Sequence, residues 1–199
     1  TILRDLEKEF SRPICILADL QGPKLRCGDF EGTKSTLEEG QKFCFDLIER
    51  PGNKERVCLP HPQIFQSVKI GDKLLIDDGK VSLEVRKASE EKIECTVLNG
   101  GIVSDKKGVN CPDSILELAS LTEKDKKDLE FVCKLGVDWI GLSFVQRTKD
   151  VHEVKKLLSG RAGIIAKIEK PSAVKVFDSI IEASDGIMVA RGDLGVELP

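Results

Sequence analysis

The sequence lacks the patterns that would place it in several common classes of protein. Only two of its 199 residues are histidine, and its seven cysteines stand singly, without a Cys-x-x-Cys pair. Neither a structural zinc site nor a disulfide framework is therefore indicated, and the single thiols favour a reducing, intracellular compartment. Zinc at Cys58 and His61 would need more ligands than the one other histidine, His152, supplies.

The sequence also lacks the patterns typical of membrane insertion and of nucleic-acid binding. No apolar run approaches the roughly 18 residues of a membrane span, and the first segment, TILRDLEKEF, is charged and amphipathic, unlike a signal sequence. The 31 basic and 34 acidic residues are intermixed, whereas a surface that follows phosphates needs clustered lysine and arginine. We expect a soluble, cytoplasmic protein that binds neither membranes nor nucleic acids, with an organelle as the alternative location.

From residue 122 onward, predicted helices and strands alternate. Helices are predicted from Thr122, over 148–158 and over 171–183, and the strands are VDWIGLSF, GIIAKIE and DGIMVA. Strand starts near Val137, Ile164 and Ile187 are about 27 and 23 residues apart, which suits the β-α period of a (β/α)8 barrel. A doubly wound open sheet has the same rhythm and remains the alternative.

An insertion interrupts this pattern near the start of the chain. The apolar strand in RPICILADLQG follows a helix, ILRDLEKEF, but no helix is predicted after it for almost a hundred residues. Short alternating runs separated by EGTK, PGNK, DDGK and NGG instead predict a small all-β module. We expect an α/β fold with residues 1–26 and 114–199 in an incomplete barrel domain and 27–113 as an inserted lid. Half a barrel would leave open sheet edges, so we expect the chain to be a fragment.

Charged and polar residues recur where the predicted strands end. These residues are Asp19, Ser143 with Phe144, Lys167 with Glu169, and Arg191 with Asp193. One such residue would be explained as a solvated charge at the start of a loop. Because the C-terminal ends of parallel barrel strands meet at one face, the recurrence predicts a functional site there.

Two of these carboxylates predict a divalent metal. Mg²⁺ takes one or two carboxylates and completes its shell with water and substrate oxygens, which suits Glu169 and Asp193. Lys167 would then stabilise negative charge on a transferring phosphoryl group or an enolate. The alternative is a purely structural ion pair of Lys167 with Glu169 or Asp193. The backbone amides of ARGDLG predict an anion-binding turn.

The inserted module carries its own candidates at two turns. DDGK places Asp78, and DKKGVN places Lys107, near the two ends of the module. A mobile lid could bring such a lysine to a phosphate. Ordinary surface turns are the alternative.

Taken together, these residues resemble the pyruvate kinase family over all 199 residues. The shared segments, in order, are ILADLQGPKLR, LLIDDGKVSL, SDKKGVNCP, LTEKDKKDL, LSFVQR, IIAKIEKP and SDGIMVARGDLGVELP. The Lys-Ile-Glu strand and MVARGDLGVE are highly specific. The resemblance implies a (β/α)8 domain in which these are the third to sixth strands, a β-rich lid inserted after the third, and a further regulatory domain outside this sequence.

The resemblance also implies roles for individual residues. Lys167 would act on the transferring phosphoryl group and the enolate, and Glu169 and Asp193 would bind Mg²⁺ or Mn²⁺. The remaining implied contacts are Ala190, Arg191, Gly192, Ser143 and Phe144 for substrate, Arg26 and Lys107 for nucleotide phosphates, Asp78 at the closing lid, and Asp19 in a monovalent-cation site. The implied substrates are phosphoenolpyruvate and ADP, and the implied assembly is a homotetramer.

Several features depart from the family pattern or leave alternatives open. The arginine, asparagine and serine of the second barrel strand and the threonine after the sixth are absent, so we expect the chain alone to be inactive. Leu20 and Lys24 replace the threonine and glutamate of K⁺-dependent members, which predicts that K⁺ is not required. A magnesium-dependent aldolase or lyase and a non-catalytic binding fragment are the alternative functions.

Overall fold

The computed structural model describes residues 2–114, 116, 119 and 121–198, which divide into two compact units. The first is formed by the described residues of Thr1–Pro23, Ala119–Ile168 and Ala173–Ala190. The second is formed by those of Lys24–Leu118, Glu169–Ser172 and Arg191–Pro199. The outer ends of the predicted domain ranges, at 1 and 199, lie outside the described residues.

The described residues form twelve strands and seven α-helices. In chain order they are α1 (Ile2–Phe10), β1 (Leu17–Asp19), β2 (Lys34–Leu37), β3 (Lys42–Asp46), β4 (Arg56–Cys58), α2 (Pro62–Ser67), β5 (Lys73–Ile76), β6 (Val81–Ala88), β7 (Lys92–Asn99), β8 (Gly101–Ser104), β9 (Val109–Asn110), α3 (Glu123–Lys134), β10 (Trp139–Leu142), α4 (Thr148–Leu158), β11 (Gly163–Ile168), α5 (Pro171–Lys175), α6 (Phe177–Ala183), β12 (Gly186–Val189) and α7 (Arg191–Glu197). A short 3₁₀ helix covers Glu31–Thr33.

The first unit contains a four-stranded, entirely parallel sheet in the order β1-β10-β11-β12. One side of β11 faces the core of this unit. Its residues Ile164, Ala166 and Ile168 are buried and alternate with less buried positions. Val151 and Val154 of α4 are buried as well. The α/β class predicted from the alternating pattern is confirmed.

The helices of this unit largely follow the sequence signals. Helix α3 begins after Thr122, the predicted start. Thr122 caps it, because its hydroxyl accepts from the Asp125 backbone N–H at 3.0 Å while the Asp125 carboxylate accepts from the Thr122 N–H at 2.9 Å. The single helix predicted over 171–183 was wrong. It is split into α5 and α6 at Val176, whose φ of −123° is not helical.

The second unit is built mainly from β-strands, as predicted for the insertion. A six-stranded sheet has the order β4-β3-β7-β6-β5-β9 and is antiparallel except for the β3–β4 pair, while β2 and β8 form a separate antiparallel pair. Alternate residues of β6 and β7 face a core, and among them Leu83, Val85 and Ile93 have no exposed surface. Phe43 and Phe45 meet edge to face in this core.

The expectation that no helix lies in the insertion was wrong. Helix α2 has Pro62 in its first turn, a position that proline favours, and buries Ile64 and Phe65. Its six residues are too few to show a clear helical period in the sequence. Within the described part of the chain, no helix has the length and apolar character needed to cross a membrane.

Candidate functional site

Lys167 lies at the centre of a hydrogen-bonded cluster in the first unit. Its position on β11 faces away from the buried row of Ala166 and Ile168. The ammonium donates to both carboxylate oxygens of Asp19 at 3.0 Å and to the Ser143 hydroxyl at 2.8 Å. The three side chains come from the ends of the adjacent parallel strands β1, β10 and β11. The sequence prediction that strand-end residues converge is confirmed for these three.

Ser143 orients the Lys167 side chain through a chain of two hydrogen bonds. Its hydroxyl oxygen accepts from Lys167, and its hydrogen is donated to the Leu20 carbonyl oxygen at 2.8 Å. Ser143 is 3% exposed, so water has little access to this bond. Asp19, in contrast, is well exposed, with 55% of its side chain accessible. The ion pair between Lys167 and Asp19 was not among the pairings considered from the sequence.

The loop after β1 is shaped to fit against the end of β10. Phe144 has a φ of +55°, a conformation that an aromatic residue adopts only under constraint. Gly22 has a φ of +67°, and an added Cβ there would lie 2.7 Å from a ring atom of Phe144. The Gly22 N–H donates to the buried Asp125 carboxylate at 3.2 Å. The helix cap thus also holds the loop that carries the carbonyl of Leu20.

The two predicted metal ligands both belong to the second unit. Glu169 directly follows β11 and is 2% exposed, whereas Asp193 lies on α7 and is partly exposed. No group of three or more His, Cys, Asp or Glu able to hold a metal occurs among the described residues. Two carboxylates of the hard-oxygen type fit Mg²⁺, which uses one or two protein carboxylates and fills its other positions with water and substrate oxygens.

The segment ARGDLG forms the start of a helix. Residues Arg191–Glu197 form α7, a helix of seven residues, where the sequence analysis expected a turn. The backbone is accessible at Gly192, where an added Cβ would meet nothing within 4 Å.

A second charged cluster in this unit was missed by the sequence analysis. Lys170 and Glu197 form an ion pair whose side chains are 10% and 1% exposed, and Asn110 donates to the same Glu197 oxygen at 2.8 Å. The other oxygen, Oε2, is buried, and no described residue donates to it. An unsatisfied buried acceptor costs about 1–3 kcal/mol. The unsatisfied oxygen of this cluster therefore lowers the free energy of unfolding.

The two residues predicted to contact nucleotide phosphates, Arg26 and Lys107, are neighbours. Arg26 pairs with Gly108 across an antiparallel bridge, and the Cys27 N–H donates to the Lys107 carbonyl at 3.0 Å. The Arg26 guanidinium donates to the Lys106 carbonyl at 2.8 Å. Arg26 and Lys107 thus lie on adjacent backbone segments joined by this isolated bridge.

Lys107 also reaches the turn that contains Asp78. Its ammonium lies 2.8 Å from Asp77, which also pairs with Lys80 at 2.9 Å. The hydrogen bond from Lys107 is the main reason that the pKa of Asp77 is lowered. Asp78, the residue predicted from the sequence, is the exposed neighbour in the same turn, with a φ of +56°.

His61 is a further residue that the sequence analysis did not assign. Its Nε2 accepts from the Arg26 backbone N–H at 3.1 Å, so the ring supports the main chain at a predicted nucleotide-binding residue. Burial of the imidazole lowers its pKa.

A sequence model of the pyruvate kinase barrel domain matches residues 1–199. The chain belongs to the pyruvate kinase family. It is 52% identical over 198 residues to a pyruvate kinase of Methylorubrum extorquens, covering 100% of this chain and 41% of that protein. It is 42% identical over 203 residues to a pyruvate kinase of Geobacillus stearothermophilus, covering 99% of this chain and 35% of that protein.

Solved structures of the family agree with the fold. A crystal structure of a pyruvate kinase from Cryptosporidium parvum superposes with a TM-score of 0.93 at 35% identity, covering 98% of this chain and 42% of that one. The chain therefore spans about two-fifths of the length of the M. extorquens pyruvate kinase and of the C. parvum structure.

Proposed function

We propose that the complete protein containing this chain transfers the phosphoryl group of phosphoenolpyruvate to ADP, giving pyruvate and ATP. The observation that carries the proposal is the Lys167 ammonium held by Asp19 and Ser143 at the ends of three parallel strands, in a chain of the pyruvate kinase family. The fold proposal that accompanies it assigns β1, β10, β11 and β12 to the third to sixth strands of a (β/α)8 barrel. The β-rich part of the second unit would then be the inserted lid.

In the proposed reaction, the bond between phosphorus and the bridging oxygen of phosphoenolpyruvate breaks, and a bond to the terminal phosphate oxygen of ADP forms. The enolate that remains takes up a proton at its methylene carbon to give pyruvate. Little of this requires covalent participation by the protein, so positioning and electrostatic stabilisation account for most of the rate. Lys167 would stabilise the negative charge on the transferring phosphoryl group and on the enolate oxygen.

The other residues would bind and orient the reactants. Glu169 and Asp193 would hold Mg²⁺ or Mn²⁺, which, when bound, neutralises the charge of the phosphoryl and enolate oxygens. Residues 190–193, with Ser143 and Phe144, would contact phosphoenolpyruvate. Arg26 and Lys107 would contact the phosphates of ADP, and Asp78 would lie on the closing lid.

Assembly, location and cation use complete the proposal. The complete protein is proposed to be a cytoplasmic homotetramer that works without K⁺. Lysines on a mobile lid argue against the aldolase or lyase alternative, because the substrate of such an enzyme has no phosphate for these lysines to bind.

The proposal is tested with the complete protein in an assay that couples pyruvate formation to lactate dehydrogenase. Pyruvate should appear only when phosphoenolpyruvate, ADP and Mg²⁺ are all present, whereas an aldolase or lyase would release pyruvate without ADP. Lys167→Met should lower kcat by about 10²- to 10³-fold, since one preorganised donor is worth that much in the transition state. The apparent affinity for phosphoenolpyruvate should change little.

Lys155→Met is the matched control for this variant. Lys155 also pairs with an aspartate of the first unit, Asp185, at 3.1 Å, but in an exposed setting. Its kcat should stay close to that of the parent. If Lys167→Met stays within about tenfold of the parent, Lys167 has a structural role only.

A further inference from the structure

The buried cluster of Lys170, Glu197 and Asn110 connects three separate segments of the second unit. Glu197 Oε1 accepts hydrogen bonds from both the Lys170 ammonium and the Asn110 amide, the latter at 2.8 Å. Lys170 belongs to the short segment 169–172, Glu197 to α7, and Asn110 to β9. One carboxylate oxygen thus joins three parts of the chain that are far apart in sequence.

Stability does not explain why these residues are charged. Both members of the ion pair are removed from water, and the desolvation of two buried charges commonly outweighs their mutual attraction. Glu197 Oε2 adds to this cost, because it is buried and no described residue donates to it. Apolar residues of similar volume in place of a buried ion pair are often neutral or stabilising. A need to hold the surrounding chain segments in one specific arrangement, however, would explain why the protein keeps such a pair.

The positions of these residues in the chain indicate which groups the cluster holds in place. Lys170 directly follows Glu169, and Glu197 lies four residues after Asp193 on α7, which is about one helical turn. Each member of the ion pair is therefore attached to a segment that carries one of the two proposed metal ligands. Asn110 extends the connection to β9, where it is paired with Leu75 of β5.

We propose that Lys170, Glu197 and Asn110 are positioning residues that hold the Glu169 and Asp193 segments in the arrangement that binds a divalent cation. This inference rests on the proposed function, because it uses the metal-binding roles of Glu169 and Asp193. The ion pair fixes the two segments relative to each other, and the amide of Asn110 attaches them to the strand that leaves the lid. Loss of the cluster should weaken cation binding even where the fold is retained.

The test measures Mn²⁺ binding to the complete protein by electron paramagnetic resonance, with no substrate and no turnover. The main variant is the double substitution Lys170→Met with Glu197→Leu, which replaces the pair by apolar side chains of similar size. Its Mn²⁺ Kd should rise about tenfold, the lower end of the range for residues that support metal ligands. Its thermal midpoint should stay near that of the parent, because the removal of two buried charges offsets the hydrogen bond that the Asn110 amide loses.

The control is a second buried ion pair of this unit, Arg56 with Asp46. Their side chains are 9% and 13% exposed, so Arg56→Met with Asp46→Leu removes a comparable pair. Arg56 also donates to the carbonyl of Ile48, so this control should lower the thermal midpoint. Its Mn²⁺ Kd should nevertheless stay within about twofold of the parent, because neither residue neighbours a proposed ligand.

Glu169→Gln separates failure of this inference from failure of the proposed function. If Glu169→Gln weakens Mn²⁺ binding by tenfold or more, as expected for a lost ligand charge, but the double variant binds like the parent, the positioning role is wrong and the metal site stands. If Glu169→Gln binds Mn²⁺ like the parent, the proposed metal site itself is wrong.

Asn110→Leu keeps the inference testable if the double variant does not fold. It removes one hydrogen bond to the Glu197 carboxylate and leaves the ion pair in place. The Mn²⁺ Kd should rise by about three- to fivefold, because only part of the net worth of a hydrogen bond to a charged group is passed on to the cation site. An unchanged Kd in this variant would contradict the positioning role.

Discussion

At the scale of single residues, the expected independence from K⁺ is based on Leu20 and Lys24. Leu20 is 4% exposed, whereas Lys24 is on the surface of its own unit. By resemblance, K⁺-dependent members carry threonine and glutamate at these two positions. A lysine in place of glutamate changes the fixed charge by +2, and a tethered ammonium supplies a cation without a binding equilibrium. Asp19, assigned to this cation site, already accepts from Lys167 at 3.0 Å.

We predict that the complete protein is active without K⁺. The measurement is an activity assay in tetramethylammonium salts with and without added K⁺. Lys24→Glu should make the enzyme depend on K⁺, which would place the charge of Lys24 in the cation site. A parent protein that is inactive until K⁺ is added would contradict the prediction, and Lys24 would then be an ordinary solvated loop residue.

His61 should make the second unit sensitive to mild acid. Burial lowers its pKa below the ordinary value of 6.5, so the folded state favours the neutral ring that accepts from the Arg26 N–H. Because the folded pKa is the lower one, the stabilisation is present above the unfolded pKa. It is lost as the pH falls through the folded pKa.

His61→Gln should remove this dependence while keeping a side-chain acceptor for Arg26. The measurement is the fall in thermal midpoint of the complete protein between about pH 7 and pH 5, compared for parent and variant. The parent should lose more than the variant. Equal losses would mean that His61 titrates in the folded protein as it does in the unfolded chain.

At the scale of elements, Gly22 determines how the loop after β1 meets the end of β10. Its φ of +67° and the 2.7 Å approach of Phe144 to a built Cβ combine two separate penalties. Gly160 provides the comparison, because it has a φ of +78° but nothing within 4 Å of a built Cβ. Only the conformational penalty applies there.

We predict that Gly22→Ala destabilises the protein more than Gly160→Ala does. The conformational penalty is about 1–2 kcal/mol in both variants, and overpacking adds about 1–3 kcal/mol at Gly22 alone. Thermal unfolding of the two variants of the complete protein measures the difference. Equal midpoints would show that Phe144 moves aside without cost.

At the scale of the whole molecule, we predict that residues 1–199 alone have no pyruvate kinase turnover. By resemblance, the site also needs an arginine, an asparagine and a serine from the second barrel strand and a threonine after the sixth, none of which this sequence contains. An open sheet would also admit water to the reacting groups. The measurement is the coupled assay on purified 1–199 beside the complete protein, and a comparable rate from the short chain would contradict the prediction.

Local patterns in the sequence were sufficient to predict most of the elements. The cap at Thr122 and the alternation of GIIAKIE depend on residues within one turn or one strand, so α3 and β11 were located without knowledge of their partners. Parallel strand ends meet at one edge, which is why Asp19, Ser143 and Lys167 were expected together before their contacts were known. The break at Val176 and the short helix α2 were missed, because the signals at these points are weak.

Contacts between distant segments were decided only by the tertiary structure. From the sequence, an ion pair of Lys167 with Glu169 or Asp193 was the structural alternative, and Asp19, 148 residues away in the chain, was not considered. The structure places Asp19 at 3.0 Å from the Lys167 ammonium. Lys170 and Glu197 were given no role from the sequence. They are buried, because chain folding brings segments 27 residues apart into contact. Periodicity reports which face of an element is covered, but the partner across that face depends on how the elements pack, and no local pattern encodes it.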